Sequence, residues 1–95
     1  MLKNIDPEHE YESVEDELRS YVWYRDNFLC VKCSIAGQEI HHIIMKSRGG
    51  THKANNLCLL CYECHHDEEH GTERSTKDLL KKVRKNEKRF RKNLV

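Results

Sequence analysis

Ninety-five residues, 37% of them hydrophobic and 35% charged, suffice for one domain and not for two. So little apolar material cannot fill a roomy core, because small domains bury a low fraction of their surface, and a structural metal is a common substitute. No apolar run reaches the length of a membrane span, and the polar, acidic stretch from Met1 to Glu12 has no leader-like apolar segment, so a cytoplasmic protein without a membrane partner is expected.

The net charge of +1 conceals an asymmetry. Residues 1–20 carry two basic and seven acidic side chains, whereas residues 76–95 carry nine basic and two acidic ones. A basic tail of this kind is either an electrostatic footprint for a polyanion or a solvated helix face.

Residues 1–12 lack an apolar period and hold the only proline, Pro7, which predicts a loose acidic arm ahead of a single domain over 13–95. Ser13, with Asp16 three residues on, is placed to cap a first helix. Val14, Leu18, Tyr21, Val22 and Arg25 follow at helical spacing, and Glu15, Asp16 and Glu17 crowd the end where the helix dipole favours negative charge. The helix should stop near Asp26–Asn27, since asparagine tolerates the left-handed conformation beyond a helix C-terminus. Phe28 to Cys33 reads as a short strand entering a knuckle, Glu39 to Ile44 as a second strand, and Leu57 to Leu60 as a third. Met45 to Asn55, with Ser47, Gly49, Gly50, Thr51 and Asn55, reads as a loop. A helix over Tyr62–His70 ending at Gly71, and a last helix over 76–92 capped by Thr76, complete the chain. Leu79, Leu80, Val83 and Phe90 share one side of that last helix.

Cys30-x-x-Cys33 and Cys61-x-x-Cys64 offer four thiolates in two equally spaced pairs. Tetrahedral zinc accepts four sulfurs, and a two-residue spacer lets each pair reach one ion from a tight turn. Without signs of secretion, such pairs favour zinc over disulfides. The twenty-seven residues between the pairs are more than a simple zinc ribbon needs and leave room for an active loop. Cys58, the fifth cysteine, reads as a small core residue.

The ordered set His41-His42, Ser47-x-Gly49-Gly50, Asn56-Leu57 and Leu60-Cys61-x-x-Cys64-His65 resembles the HNH endonucleases, in particular the branch pinned by two Cys-x-x-Cys knuckles. The resemblance covers about Phe28 to His70. It implies an α+β fold: a small zinc-stabilised ββα-metal core over 28–71, flanked by N- and C-terminal helices. It further implies that His41 and His65 ligate one catalytic divalent ion (Mg²⁺, Mn²⁺, Ni²⁺ or Zn²⁺) beside the structural Zn²⁺. His42 would be the general base, and the Asn56 amide would hold the loop and, through a backbone contact, the orientation of His42. The third metal ligand stays open between Glu69 and His70: Glu69 lies four residues from His65 on one helix face, whereas His70 lies five away, turned by about 140°. Met45 stands where many relatives carry proline, which removes a backbone constraint but no catalytic atom. His9, His52 and His66 read as solvated.

The implied chemistry suits these residue types. Imidazole titrates near neutral pH and can accept a proton from an attacking water, while a divalent ion neutralises charge on the leaving 3′ oxygen. Lys46, Arg48 and Lys53 on the loop are expected to steady phosphates, and Lys81, Lys85 and Lys88 to lie along a DNA backbone with little sequence preference. The expected function is therefore metal-dependent hydrolysis of DNA, by nicking or double-strand cleavage, in a bacterial or phage-infected cell. The alternative is a non-catalytic, zinc-stabilised nucleic-acid-binding or adaptor module within a phage packaging or restriction complex.

Overall fold

The computed structural model describes residues 4–68 and 71–93. Its elements in chain order are α1 (Asp16–Arg25), β1 (Glu39–His42), two short 3-10 turns (Lys46–Arg48 and Ala54–Asn56), β2 (Leu57–Leu60), α2 (Tyr62–Glu68) and α3 (Glu73–Asn93). This is an α+β arrangement of three helices around a two-stranded antiparallel sheet. None of these helices is long and apolar enough to cross a membrane.

Helix α1 buries Leu18, Tyr21, Val22 and Arg25, the stripe that helical spacing dictates. Its start differs from expectation. Glu15, in extended conformation, occupies the N-cap position without a side-chain cap, and the Ser13 hydroxyl donates to the Glu15 carboxylate instead. The Asp16 and Glu17 charges in the first turn take over the stabilising role. The helix ends as its sequence suggests: Asn27 follows with φ +59°, and Phe28 repeats the left-handed conformation at +62°.

That second left-handed residue explains a correction. Phe28 to Cys33 is not a strand. A single bridge pairs Leu29 with Ala36, and residues 31–33 form a turn. A side chain at positive φ cannot continue a pleat, so the chain turns at once into the knuckle.

Strands β1 and β2 pair Glu39 with Leu60, Ile40 with Leu59, His41 with Cys58 and His42 with Leu57. β1 stops at His42 and not at Ile44, because the Asn56 side chain takes over Ile44. The Ile44 N–H donates to Asn56 Oδ1 at 2.8 Å, and Asn56 Nδ2 donates to the Ile44 carbonyl at 3.1 Å. The intervening loop folds back over itself at Gly49, whose φ is +87°, and at Gly50, where a Cβ would stand 1.7 Å from the Ile44 carbonyl oxygen.

All four side chains of β2 are buried. Cys58 and Leu60 face a cluster with Cys30, Ile43, Cys61, Leu79 and Val83; Leu57 faces another with Ile5, Leu18, Tyr21, Val22 and Ala54. Period-two alternation thus makes one strand serve two small cores. Helix α3 spans both, with Leu79 and Val83 in the first and Phe90 edge-on to Tyr21 at 5.3 Å in the second. It begins one turn ahead of the expected Thr76. The Thr72 hydroxyl accepts the Ser75 N–H, and Thr76 lies inside the helix, donating to the Thr72 carbonyl.

The segment before α1 lies along this body. Ile5 is buried, Arg91 Nη2 donates to the Ile5 carbonyl at 2.7 Å, and the Asn55 N–H donates to the Pro7 carbonyl.

Candidate active site and metal centre

The two knuckles bring Cys30, Cys33, Cys61 and Cys64 together, with all four sulfurs within 4.8 Å of one another and Cys33 Sγ 3.7 Å from Cys61 Sγ. Four sulfurs on one tetrahedral zinc would stand about 3.8 Å apart, given Zn–S bonds of about 2.3 Å. Burial would raise the Cys30 thiol, but N–H groups of Cys33, Cys61 and Lys32 outweigh it and bring that thiol down to about 7. Burial and the three neighbouring sulfurs push Cys64 the other way. Four thiolates this close repel one another, so they ionise together only around a cation. The donor set therefore fits a structural zinc. Cys58 stays outside it, fully buried in the core, its thiol pushed up first by burial and then by Asp26.

His41 and His42 leave opposite faces of β1. His41 is buried, and its ring lies 5.1 Å from that of His65 on α2, centroid to centroid and nearly perpendicular. Glu39, two residues before His41 and hence on the same face, sets Oε1 2.9 Å from His65 Nδ1. With its Nδ1–H donated to that carboxylate, a neutral His65 keeps its Nε2 lone pair for another partner. Two facing imidazoles beside a carboxylate suit a divalent ion that retains open positions. Among the described residues, the four cysteines are the only group of three or more such side chains whose donor atoms converge. Glu69 and His70, the two candidates for a third ligand, lie outside the described residues. His66 is exposed.

His42 turns toward the loop. Its Nε2 lies 3.0 Å from His52 Nδ1, and His52 Nε2 lies 2.8 Å from Lys46 Nζ. An ammonium only donates, so His52 Nε2 accepts and its Nδ1–H points at His42 Nε2. His42 is held below its ordinary histidine range, first by burial, then by the His52 ring, whose N–H points at it, and by the Lys46 charge. It is consequently neutral, with a lone pair on Nε2. Nothing in the sequence ties His52 to His42; the Gly49–Gly50 turn folds the loop back and creates the contact.

Asn56 is buried and spends its amide on backbone: on Ile44 as described, and on the Thr51 carbonyl at 2.9 Å. It fastens both ends of the loop that begins two residues after His42. Of the basic residues, Lys46 meets His52, Arg48 is exposed beside a cleft that Ile44, Met45 and Glu68 also line, and Lys53 is half-buried. Lys81, Lys85 and Lys88 share an exposed, positively charged face of α3 with Lys82 and Arg84.

Residues 29–71 match the family model described as HNH endonuclease. A search of curated proteins finds no match. The matched span opens one residue before the first knuckle cysteine and closes on the glycine after α2, so it takes in both thiolate pairs, the hairpin and the folded-back loop between them. The centre of this chain is therefore similar to the HNH endonuclease domain, a family of nuclease type.

Proposed function

We propose that the protein is a metal-dependent DNA endonuclease that hydrolyses phosphodiester bonds with His42 as general base. The observation that carries this is the division of labour at the end of β1. One imidazole, kept neutral, faces the loop, while its neighbour on the opposite face pairs with a histidine of α2.

His41 and His65 would hold the divalent ion, with Glu69 or His70 as a further ligand. When bound, that ion supplies a counter-charge for the leaving oxygen and for the phosphate. The protein's own part is proton handling and positioning. A water that replaces His52 at His42 Nε2 meets a lone pair, and the ring accepts its proton as the water oxygen attacks phosphorus. Lys46, released from His52, is then near enough to pair with a phosphate oxygen. Arg48 and Lys53 extend that contact along the loop, and the α3 lysines add affinity that is indifferent to sequence.

The test is relaxation of supercoiled plasmid in Mg²⁺, Mn²⁺ or Ni²⁺, and after chelation, by the parent and by His42→Ala. The parent nicks and chelation stops it. His42→Ala still binds DNA but cuts about 100-fold more slowly or worse. Equal cutting by both proteins removes His42 from the mechanism. DNA binding without any cutting by the parent turns the assignment to an adaptor module of a packaging or restriction complex.

A further inference from the structure

Arg25 and Asp26, at the end of α1, lie outside the family match. Both are nonetheless buried, their side chains fully enclosed. Arg25 Nε and Nη2 each donate to the Asp26 carboxylate at 3.0 Å. The remaining donors turn to backbone: Nη1 reaches the Ala54 carbonyl at 2.6 Å and Nη2 the Leu57 carbonyl at 2.5 Å. Asp26 Oδ2 also accepts the Leu59 N–H at 2.9 Å, and Oδ1 accepts Asn86 Nδ2 of α3 at 3.0 Å. Glu87 of α3 approaches Nη1 at 3.7 Å.

The targets of this pair are notable. Ala54 and Leu57 bracket Asn56 in the chain. A planar fork with five donors can span two carbonyls while pairing with a carboxylate; an ammonium on a flexible stem cannot. A buried charge pair contributes little net stability compared with apolar packing, but it is demanding about geometry. We infer that Arg25, oriented by Asp26, is a positioning residue for the nuclease site. It fixes the backbone on either side of Asn56, so that the Asn56 amide holds Ile44 and Thr51 and thereby sets the loop against His42. This rests on the nuclease assignment for its activity readout, but not for its structural one.

The experiment is a double-mutant cycle between Arg25→Lys and Asn56→Ala, with hydrogen exchange on the same zinc-loaded proteins. If Arg25 acts through Asn56, Arg25→Lys lowers kcat for nicking about tenfold or more while KM stays within about twofold, since misplacement of a catalytic group costs rate before binding. In the Asn56→Ala background the same change costs nothing further, within about twofold. The Ile44 N–H, bonded to Asn56 Oδ1, exchanges faster in Arg25→Lys, whereas the Val31 and Gln38 N–H groups, bonded to the Leu59 and Leu60 carbonyls, keep their protection. Additive losses in the cycle, or faster exchange at all three amides together, mean a general structural role and overturn the inference. Should Arg25→Lys fail to load zinc, Asp26→Asn keeps the volume and an acceptor for the Leu59 N–H, and the same outcomes apply. Should the parent not nick, the nuclease assignment falls, and the Ile44 exchange alone decides the role of Arg25.

Discussion

Asn56→Asp changes almost no volume but reverses two hydrogen bonds. Oδ1 keeps the Ile44 N–H at 2.8 Å, while the atom that donated to the Ile44 and Thr51 carbonyls, at 3.1 and 2.9 Å, becomes an acceptor facing two acceptors. Each lost bond between partly enclosed groups costs about 1 to 1.5 kcal/mol, and carboxylate–carbonyl repulsion adds about 1, for a total of about 3 to 4 kcal/mol. For a domain of this size that lowers Tm by about 12 to 30 °C. Circular dichroism melts of parent and variant at pH 7 and one fixed free-zinc concentration measure it, because a bound ion shifts Tm by mass action. Amide exchange should localise the damage, with the Ile44 N–H still protected and the loop around Thr51 opened. A variant melting within about 3 °C of the parent would mean that the loop does not depend on this amide, and the account of Asn56 would be withdrawn.

The zinc site, the base and the basic helix each yield a measurement. Cys33→Ser removes one of four thiolates, so zinc bound per chain, read by a colorimetric chelator, should fall from about one toward zero, with loss of the cooperative melt; retention of both would exclude this cluster as the ion's home. Because burial, the His52 ring and the Lys46 charge lower the pKa of His42, the neutral form proposed to be active persists further into acid than an ordinary histidine's. The nicking rate should therefore hold as pH falls to about 6.5 and decline only below it, and a midpoint above that value would contradict the environment described. Replacing Lys81, Lys85 and Lys88 together by glutamine should weaken DNA binding for all sequences alike and flatten the slope of log K against log salt by about 2 to 3; an unchanged slope would show that α3 faces water only.

Elements with a periodic signal could be read before folding: the buried stripe of α1, the apolar run of β2, the two knuckles, and Leu79 with Val83 on α3. The four cysteines were equally legible, because their spacing is itself the geometry. What escaped depends on contacts between distant segments or on backbone strain. Phe28 has a strand-former's side chain but a left-handed backbone. Ser13 looks like a cap but spends its hydroxyl on Glu15. The start of α3 at Glu73 turned on Thr72, one of two threonines able to cap it. His52 and Glu39 look like solvated polar residues until the loop and α2 set His42 and His65 beside them. Arg25 falls on the buried stripe of α1 by spacing, but its pairing with Asp26 under the Ala54–Asn56 turn and α3 has no signal in the sequence. Glu69 and His70, the two candidates for a third ligand in the proposed metal site, lie outside the described residues.

Strand β2, enclosed on every side, is a party wall between two rooms too small to stand alone. Whatever loosens the thiolate end strips one face of that wall, and the helix pair on the other face loses its backing. Metal occupancy and chain integrity should accordingly fail as a single event, so that in a zinc-starved cell the molecule goes to the proteases instead of waiting, half-formed, for an ion.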